Sequence, residues 1–233
     1  MTSRLSIIIP VFKEQKIIRT ALDHLLSLAF PGGMEIIVVD GEAQASTLDC
    51  LKSEAAMDSR ILLLKALRGR GPQMNAGART ACGNIFLFLH ADTRITQTGL
   101  DLIHTAFQSR GDWLFGAFDL NINCRRPIYR IIEAVISLRS RLTGIPYGDQ
   151  AMFMGREVFE AVGGFPDIPI MEDVALMGKL KKTRKKPLIF RHTVSTSARR
   201  WESQGIVCTT LRNWALVSLF FLGIPPERLA RYY

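Results

Sequence analysis

Hydrophobic positions along this chain fall into two rhythms. Apolar runs at 6–12 (SIIIPVF), 34–40 (MEIIVVD), 61–64 and 85–89 read as strands buried on both faces. Between the first two, Ile17, Ile18, Leu22, Leu25 and Leu26 recur at helical spacing within 14–28, and further helices are expected over 47–57 and 73–81. Strand and helix alternating at this interval predict an α/β fold with a parallel sheet and right-handed crossovers. Residues 1–110 therefore read as a nucleotide-binding type of half.

The pattern changes after Gly111. Residues 113–123 alternate as a strand, and 128–142 form a long helix carrying Arg130, Arg139 and Arg141. A short strand at 148–153 and a short helix at 158–162 precede Gly163–Gly164–Phe165, and 172–180 is helical again. Residues 187–190 make a short apolar strand. The last helix is apolar over 214–222 (WALVSLFFL) but polar at Thr209, Thr210, Arg212 and Asn213. No repeat or linker interrupts the chain, so 1–233 reads as one domain whose second half, 111–204, completes the site begun by the first. Residues 205–233 read as an apolar helical appendage. A buried terminal helix is the favoured reading of it, with a peripheral membrane contact or a homodimer left open.

Composition narrows the partners. The net charge of +9 implies an anion, and much of the excess sits in 179–186 (KLKKTRKK) and at Arg199–Arg200. The basic run is best read as a solvated helix face. The cysteines Cys50, Cys82, Cys124 and Cys208 share no metal-ligand spacing and read as free thiols of a reducing compartment. No signal peptide is expected, because the first residues lead straight into a strand. No segment approaches the roughly 18 apolar residues of a membrane span. A cytoplasmic protein is expected, or one peripheral at the inner membrane face.

Several polar residues stand where apolar runs end. His90 and Asp92 follow the fourth run, and positions i and i+2 of an extended chain point the same way, so the two could converge on one ion. A capped turn explains them equally well. Asp40 ends the second strand, where a carboxylate can accept from a base or ribose, or cap a turn. Arg70 lies in a glycine-flanked loop, 69–77 (GRGPQMNAG), which suits a phosphate but is neither a Walker loop nor a dinucleotide fingerprint. Glu172 and Asp173 open a helix. Adjacent side chains on a helix diverge, so one of the pair is expected to face a substrate as general base; dipole matching at the helix start is the competing reading.

Taken in order, SIIIPVFKE (6–14), VVDG (38–41), GRGPQMNAG (69–77), FLHAD (88–92), GDQ (148–150), GGF (163–165) and MEDV (171–174) resemble glycosyltransferase family 2 up to about Trp201. The resemblance implies a GT-A fold: Rossmann-like, with a mostly parallel central sheet flanked by helices, as in spore-coat-polysaccharide-synthase-like transferases. It implies inverting, hexosyltransferase-type transfer from a nucleoside diphosphate sugar, a UDP-sugar being favoured, to a hydroxyl on a small-molecule, lipid or glycan acceptor. No nucleic acid is expected. Pro10, Val11, Glu14, Asp40, Arg70, Asn75, Ala91 and Asp92 would bind the nucleotide, with Asp92 anchoring Mn²⁺ or Mg²⁺. Asp173 would be the base, with Glu172 beside it. Asp149, Gln150, Arg200 and Trp201 would meet the sugars, Arg200–Trp201 being the tail of a Gln-x-x-Arg-Trp motif whose Gln is here Ser197.

Two histidines are less determined. His90 replaces the first Asp of the family's Asp-x-Asp motif and either joins a Mn²⁺ ion or contacts sugar or ribose. His192 is either a further metal or phosphate ligand or a structural residue. Within the family the segments GRGPQMNAGA, FLHADT, GDQAMF and SARRW are similar to small soluble members of the arsenosugar-biosynthesis type.

Two other classes stay in contention. A nucleotidyltransferase would carry a glycine-rich loop directly after the first strand, where Pro10–Glu14 stands instead. A basic RNA-binding or membrane-surface module would bind with steep salt dependence and tolerate loss of Asp92.

Overall fold

The computed structural model describes residues 3–233, apart from the side chains of Arg200 and Val207. The first half runs β1 (Leu5–Val11), α1 (Ile18–Leu26), β2 (Met34–Asp40), α2 (Ser46–Asp49), α3 (Lys52–Met57), β3 (Ile61–Lys65), α4 (Arg70–Thr80), β4 (Ile85–Phe88), β5 (Thr93–Arg94) and α5 (Gln97–Arg110). The second half runs β6 (Phe115–Ile122), α6 (Pro127–Thr143), β7 (Phe153–Gly155), α7 (Arg156–Ala161), α8 (Glu172–Lys182) and β8 (Leu188–Thr196). It ends with α9 (Arg199–Gln204), α10 (Ile206–Phe221) and α11 (Pro226–Leu229), and 3₁₀ turns occupy Gly148–Gln150 and Ala230–Tyr232.

One sheet of eight strands, ordered β3-β2-β1-β4-β7-β6-β8-β5, joins the two halves. The β3-β2-β1-β4 portion is parallel, as the strand–helix alternation predicts. Beyond it the sheet is mixed: β7 runs antiparallel to both β4 and β6, and β5 antiparallel to β8. Only three residues long, β7 follows α6 and the 3₁₀ turn at Gly148–Gln150.

The unbroken apolar runs are explained by cover on both faces. Ile7, Ile9, Ile36, Val38 and Leu87 pack with α1 and α5 on one side, while Ile8, Ile37, Val39, Phe86 and Phe88 pack with α4 and α8 on the other.

Two expectations shift. The helix over 47–57 is broken into α2 and α3, with Cys50 and Leu51 between them. The strand over 148–153 is instead a 3₁₀ turn followed by a shorter strand, because the Gln150 side chain bonds back to the Tyr147 N–H and Ala151 adopts a left-handed φ of 48°. Residues 205–233 form α10 and α11 and the last 3₁₀ turn. Leu216 and Leu229 are buried in the second core layer, while Leu211, Trp214, Leu219, Phe221 and Leu222 remain exposed.

Candidate functional site

Two clefts meet beyond the C-terminal ends of β1 and β4, where ligands bind in open α/β sheets. Pro10, Val11 and Glu14 line the first, with Gln73 and Ala91; Tyr147, Asp149, Asp173 and Trp201 line the second. Arg70, His90 and Asp92 border both. His90 and Asp92 do not lie on a strand. Strand β4 stops at Phe88, and the Thr93 N–H donates to the His90 carbonyl at 3.0 Å, closing a turn. The turn still presents both side chains to the junction. Asp92 is not a helix cap: the side chain of Thr96 caps α5 by accepting from the Gly99 N–H.

The paired acids separate as adjacent helical positions require. Met171 precedes α8 in a left-handed conformation (φ 65°), which turns the chain sharply before Glu172. Glu172 points inward, 97% removed from solvent, and meets Arg70 Nε at 2.9 Å. Burial pushes its carboxyl up to about 7 against the attraction of Arg70, and the neighbouring Asp173 adds to the rise. For Arg70, burial pulls the other way, but Glu172, Tyr233 and Asp173 outweigh it and hold the guanidinium above its usual value.

Asp173 faces the second cleft. Its Oδ2 accepts from the Gly148 N–H at 2.7 Å and its Oδ1 from the Val174 N–H at 2.8 Å. Gly148 is also where His90 comes near: a Cβ there would meet both Asp173 Oδ2 and His90 Nε2 at 3.3 Å. Next to it, Asp149 has a buried Oδ1 with no partner among the described residues. Burial raises its carboxyl to about 6, partly offset by Arg139. Arg139 stacks on Tyr147 with its guanidinium carbon 3.2 Å from the ring centre.

The structure does not gather every expected residue. Gln150 is fully buried and braces the turn: its Nε2 donates to the Phe118 carbonyl at 2.9 Å, and its Oε1 accepts from Ser140 Oγ at 2.8 Å. Asn75 pins the loop before α8, donating to the Phe165 carbonyl and accepting from its N–H. His192 Nε2 is bonded to Thr96 Oγ1 at 2.7 Å and its ring packs on Phe118, outside both clefts. Asp40 is fully buried beside Val11; its Oδ1 accepts from the Glu42 N–H, and its Oδ2 has no partner among the described residues. Trp201 reaches the second cleft, edge-on to Tyr129. The Arg200 side chain lies outside the described residues.

Other residues enter that the sequence reading did not select. Gln73 donates to both the Val11 and Val39 carbonyls at 2.7 Å, tying α4 to the ends of β1 and β2. Arg199 pairs with Glu14, one of the expected nucleotide-side residues, at 3.5 Å and links the first cleft to α9, while burial raises the Glu14 carboxyl. Asn213, Val217 and Tyr233 bring the C-terminal helices to the second cleft. Gln73, inside the 69–77 segment, and Tyr147, beside Gly148–Asp149–Gln150, had a local sequence signal.

Among the described residues no three His, Cys, Asp or Glu side chains cluster as a metal site. The donor set nevertheless fits a divalent cation held mainly by a ligand's phosphates. Mg²⁺ commonly takes one or two carboxylates with substrate oxygens, and Asp92 supplies one at the junction. His90 beside it suits Mn²⁺ better than Mg²⁺.

Comparison with known proteins bears on the fold and the family. The enzyme glycosyltransferase GlyA of Streptococcus pneumoniae serotype 4 is 26% identical over 102 residues, 43% of this chain and 14% of GlyA. The crystal structure of S. aureus TarS 1-349 superposes with a TM-score of 0.68 at 16% identity, over 84% of this chain and 60% of that one. The mannosyltransferase PcManGT from Pyrobaculum calidifontis, in complex with GDP-Man and Mn²⁺, gives 0.67 at 20% identity, over 100% and 68%. The chain thus spans a small part of GlyA and about three-fifths of the TarS fragment. The fold is GT-A, a mixed eight-stranded sheet with flanking helices. Glycosyl transferase family 2 matches residues 6–163, more than half of the sequence, and the chain belongs to that family.

Proposed function

We propose that the protein is an inverting glycosyltransferase that moves a hexose from a UDP-sugar to an acceptor hydroxyl with the help of Mn²⁺ or Mg²⁺. One observation carries this reading: Arg70, His90 and Asp92 border both clefts, with Asp173 across the second. A donor with its nucleotide in the first cleft would place its sugar–phosphate bond at that shared border. In related folds, TarS has been seen with UDP-GlcNAc and PcManGT with GDP-Man and Mn²⁺, which supports a nucleotide-sugar donor and a divalent cation.

Asp173 takes the proton of the acceptor hydroxyl, its carboxylate oriented by the Gly148 and Val174 N–H groups. The acceptor oxygen bonds to the anomeric carbon from the face opposite the diphosphate. The carbon–oxygen bond to phosphate breaks, and its electron pair leaves with the nucleoside diphosphate, inverting the centre. A cation at Asp92 would neutralise charge gathering on that leaving group. Arg70 offers a fixed positive charge at the same border, and Asp149 and Trp201 offer hydrogen bonding and a ring face to a sugar. Pro10, Val11 and Ala91 shape the nucleotide side, with Asp40 buried behind Val11. Asn75, Gln150 and Glu172 support these positions from behind. We assign no ligand to His192 or Arg200. The arsenosugar-type relationship rests on the four segments that resemble it.

Thermal unfolding with each nucleoside diphosphate, with Mn²⁺ or Mg²⁺, tests the donor half. UDP with Mn²⁺ should raise the unfolding temperature most, and Asp92→Ala should remove the metal-dependent part of that rise. An unfolding temperature unmoved by every nucleotide would end the reading.

A further inference from the structure

Helix α6 is apolar on the side that faces away from the core. Ile128, Ile131, Val135, Leu138 and Leu142 follow one another at steps of three and four, and all are exposed, Leu142 at 77%. Tyr129 and Ile132 are buried from the same helix, so α6 is apolar on two sides. A helix facing water carries polar residues there. Helix α10 repeats the feature with Leu211, Trp214 and Phe221 exposed, and Leu222 just after it.

The two helices flank a groove. Thr143 and Ile145 line it from one side and Trp214 and Phe221 from the other, while Tyr147 and Val217 line both the groove and the catalytic cleft. Arg139 and Ser218 complete its lining, and through Trp214 and Phe221 the groove leads from the exposed face of α10 to the cleft that holds Asp173.

We propose that these faces of α6 and α10 lie on the surface of an anionic lipid bilayer, and that the groove carries the hydrocarbon chain of a membrane-held acceptor to the cleft. The second part rests on the glycosyltransferase reading; the first does not. Charge selects the bilayer. On α6, Arg130 pairs with Glu133, Arg141 with Asp119, and Arg139 turns onto Tyr147, so the cations offered to a surface here are the exposed Arg125 and Arg126 just before α6, with Arg212 on α10. Two such faces brought together in a dimer would repel, whereas anionic headgroups would complement them. Trp214, half exposed, is a residue suited to a membrane–water interface. Among the described residues no helix is long and apolar enough to cross a membrane, so this contact is with the surface.

Flotation of the full chain with vesicles tests the contact without nucleotide or metal. Binding is expected to vesicles of equal parts phosphatidylcholine and phosphatidylglycerol, and to weaken on phosphatidylcholine alone. Leu138→Glu with Leu142→Glu should lower partitioning by about tenfold or more. Phe221→Glu should do the same from α10, and circular dichroism should find each variant folded. Met57→Glu, on exposed α3, should leave partitioning unchanged. Binding that is absent, or that survives both sets of substitutions, overturns the proposal. So does a dimer in solution that these substitutions dissociate. A failed nucleotide response beside normal flotation would remove the enzyme reading and leave the membrane contact standing.

Discussion

The backbone N–H of Gly148 donates to Asp173 Oδ2 at 2.7 Å, so a turn from the second half of the chain sets the direction of the carboxylate in the cleft. The contact is close on the carbon side as well, because a Cβ at Gly148 would sit 3.3 Å from both Asp173 Oδ2 and His90 Nε2. That is tight enough that one of the three must yield.

Gly148→Ala should therefore fold normally but misplace the carboxylate by a few tenths of an ångström. Turnover, read as release of nucleoside diphosphate, should fall by roughly ten- to a hundredfold, since reacting groups tolerate little displacement. Asp173→Asn keeps the shape and removes the base, so it should cost about 10²–10⁴-fold in kcat with nucleotide binding retained. Turnover near the wild-type value in Asp173→Asn would show that another group takes the proton.

Arg70 and Glu172 form a pair whose loss should be felt unequally from its two ends. Arg70→Ala leaves a buried carboxyl without its partner, and about 3 kcal/mol of stability should go with it at pH 8. The folded-state value of Glu172 is raised from 4.5 to about 7, so its contribution to stability is full at low pH and is lost as pH rises through 7. The Arg70→Ala penalty should accordingly shrink at pH 6, where Glu172 takes up a proton. Glu172→Gln should cost less, and the double variant should recover part of the Arg70→Ala loss. Urea titrations at the two pH values would measure all three, and a penalty independent of pH would contradict the pairing.

Much of this site was legible because it is local in sequence. Strand β2 spans 34–40 in both sequence and structure, since an apolar run closed by Asp40 leaves no ambiguity when both faces are covered. The order of the short motifs located Asp92 and Asp173 without any geometry. Gln150 misled for a physical reason: it stands in a motif with Asp149, yet its bonds go to Phe118 and Ser140, partners that only folding brings near. Asn213, Val217 and Tyr233 were invisible for the same cause, because their place depends on how α10 folds back across the cleft. His192 shows the reverse case. A polar residue on a strand looked available, and Thr96, distant in sequence, had already engaged it.

Asp149 gives the sharpest dependence on pH. Its folded-state value is raised from 3.8 to about 6, chiefly by burial, so the ionised form is disfavoured in the native protein. Below about pH 4 the carboxyl is protonated in both folded and unfolded chains and imposes no penalty. As pH climbs from 4 to 6 the unfolded chain ionises first, and wild-type stability falls relative to a neutral side chain of the same shape. Asp149→Asn should therefore match wild type near pH 4 and become the more stable protein as pH rises. The gap should level off above pH 6 at roughly 1–2 kcal/mol, less than the full shift implies because the residue is partly open to the cleft. Denaturant midpoints across this range would trace the gap. A difference that stays constant with pH would mean that Asp149 ionises normally and that its buried oxygen is solvated from the cleft.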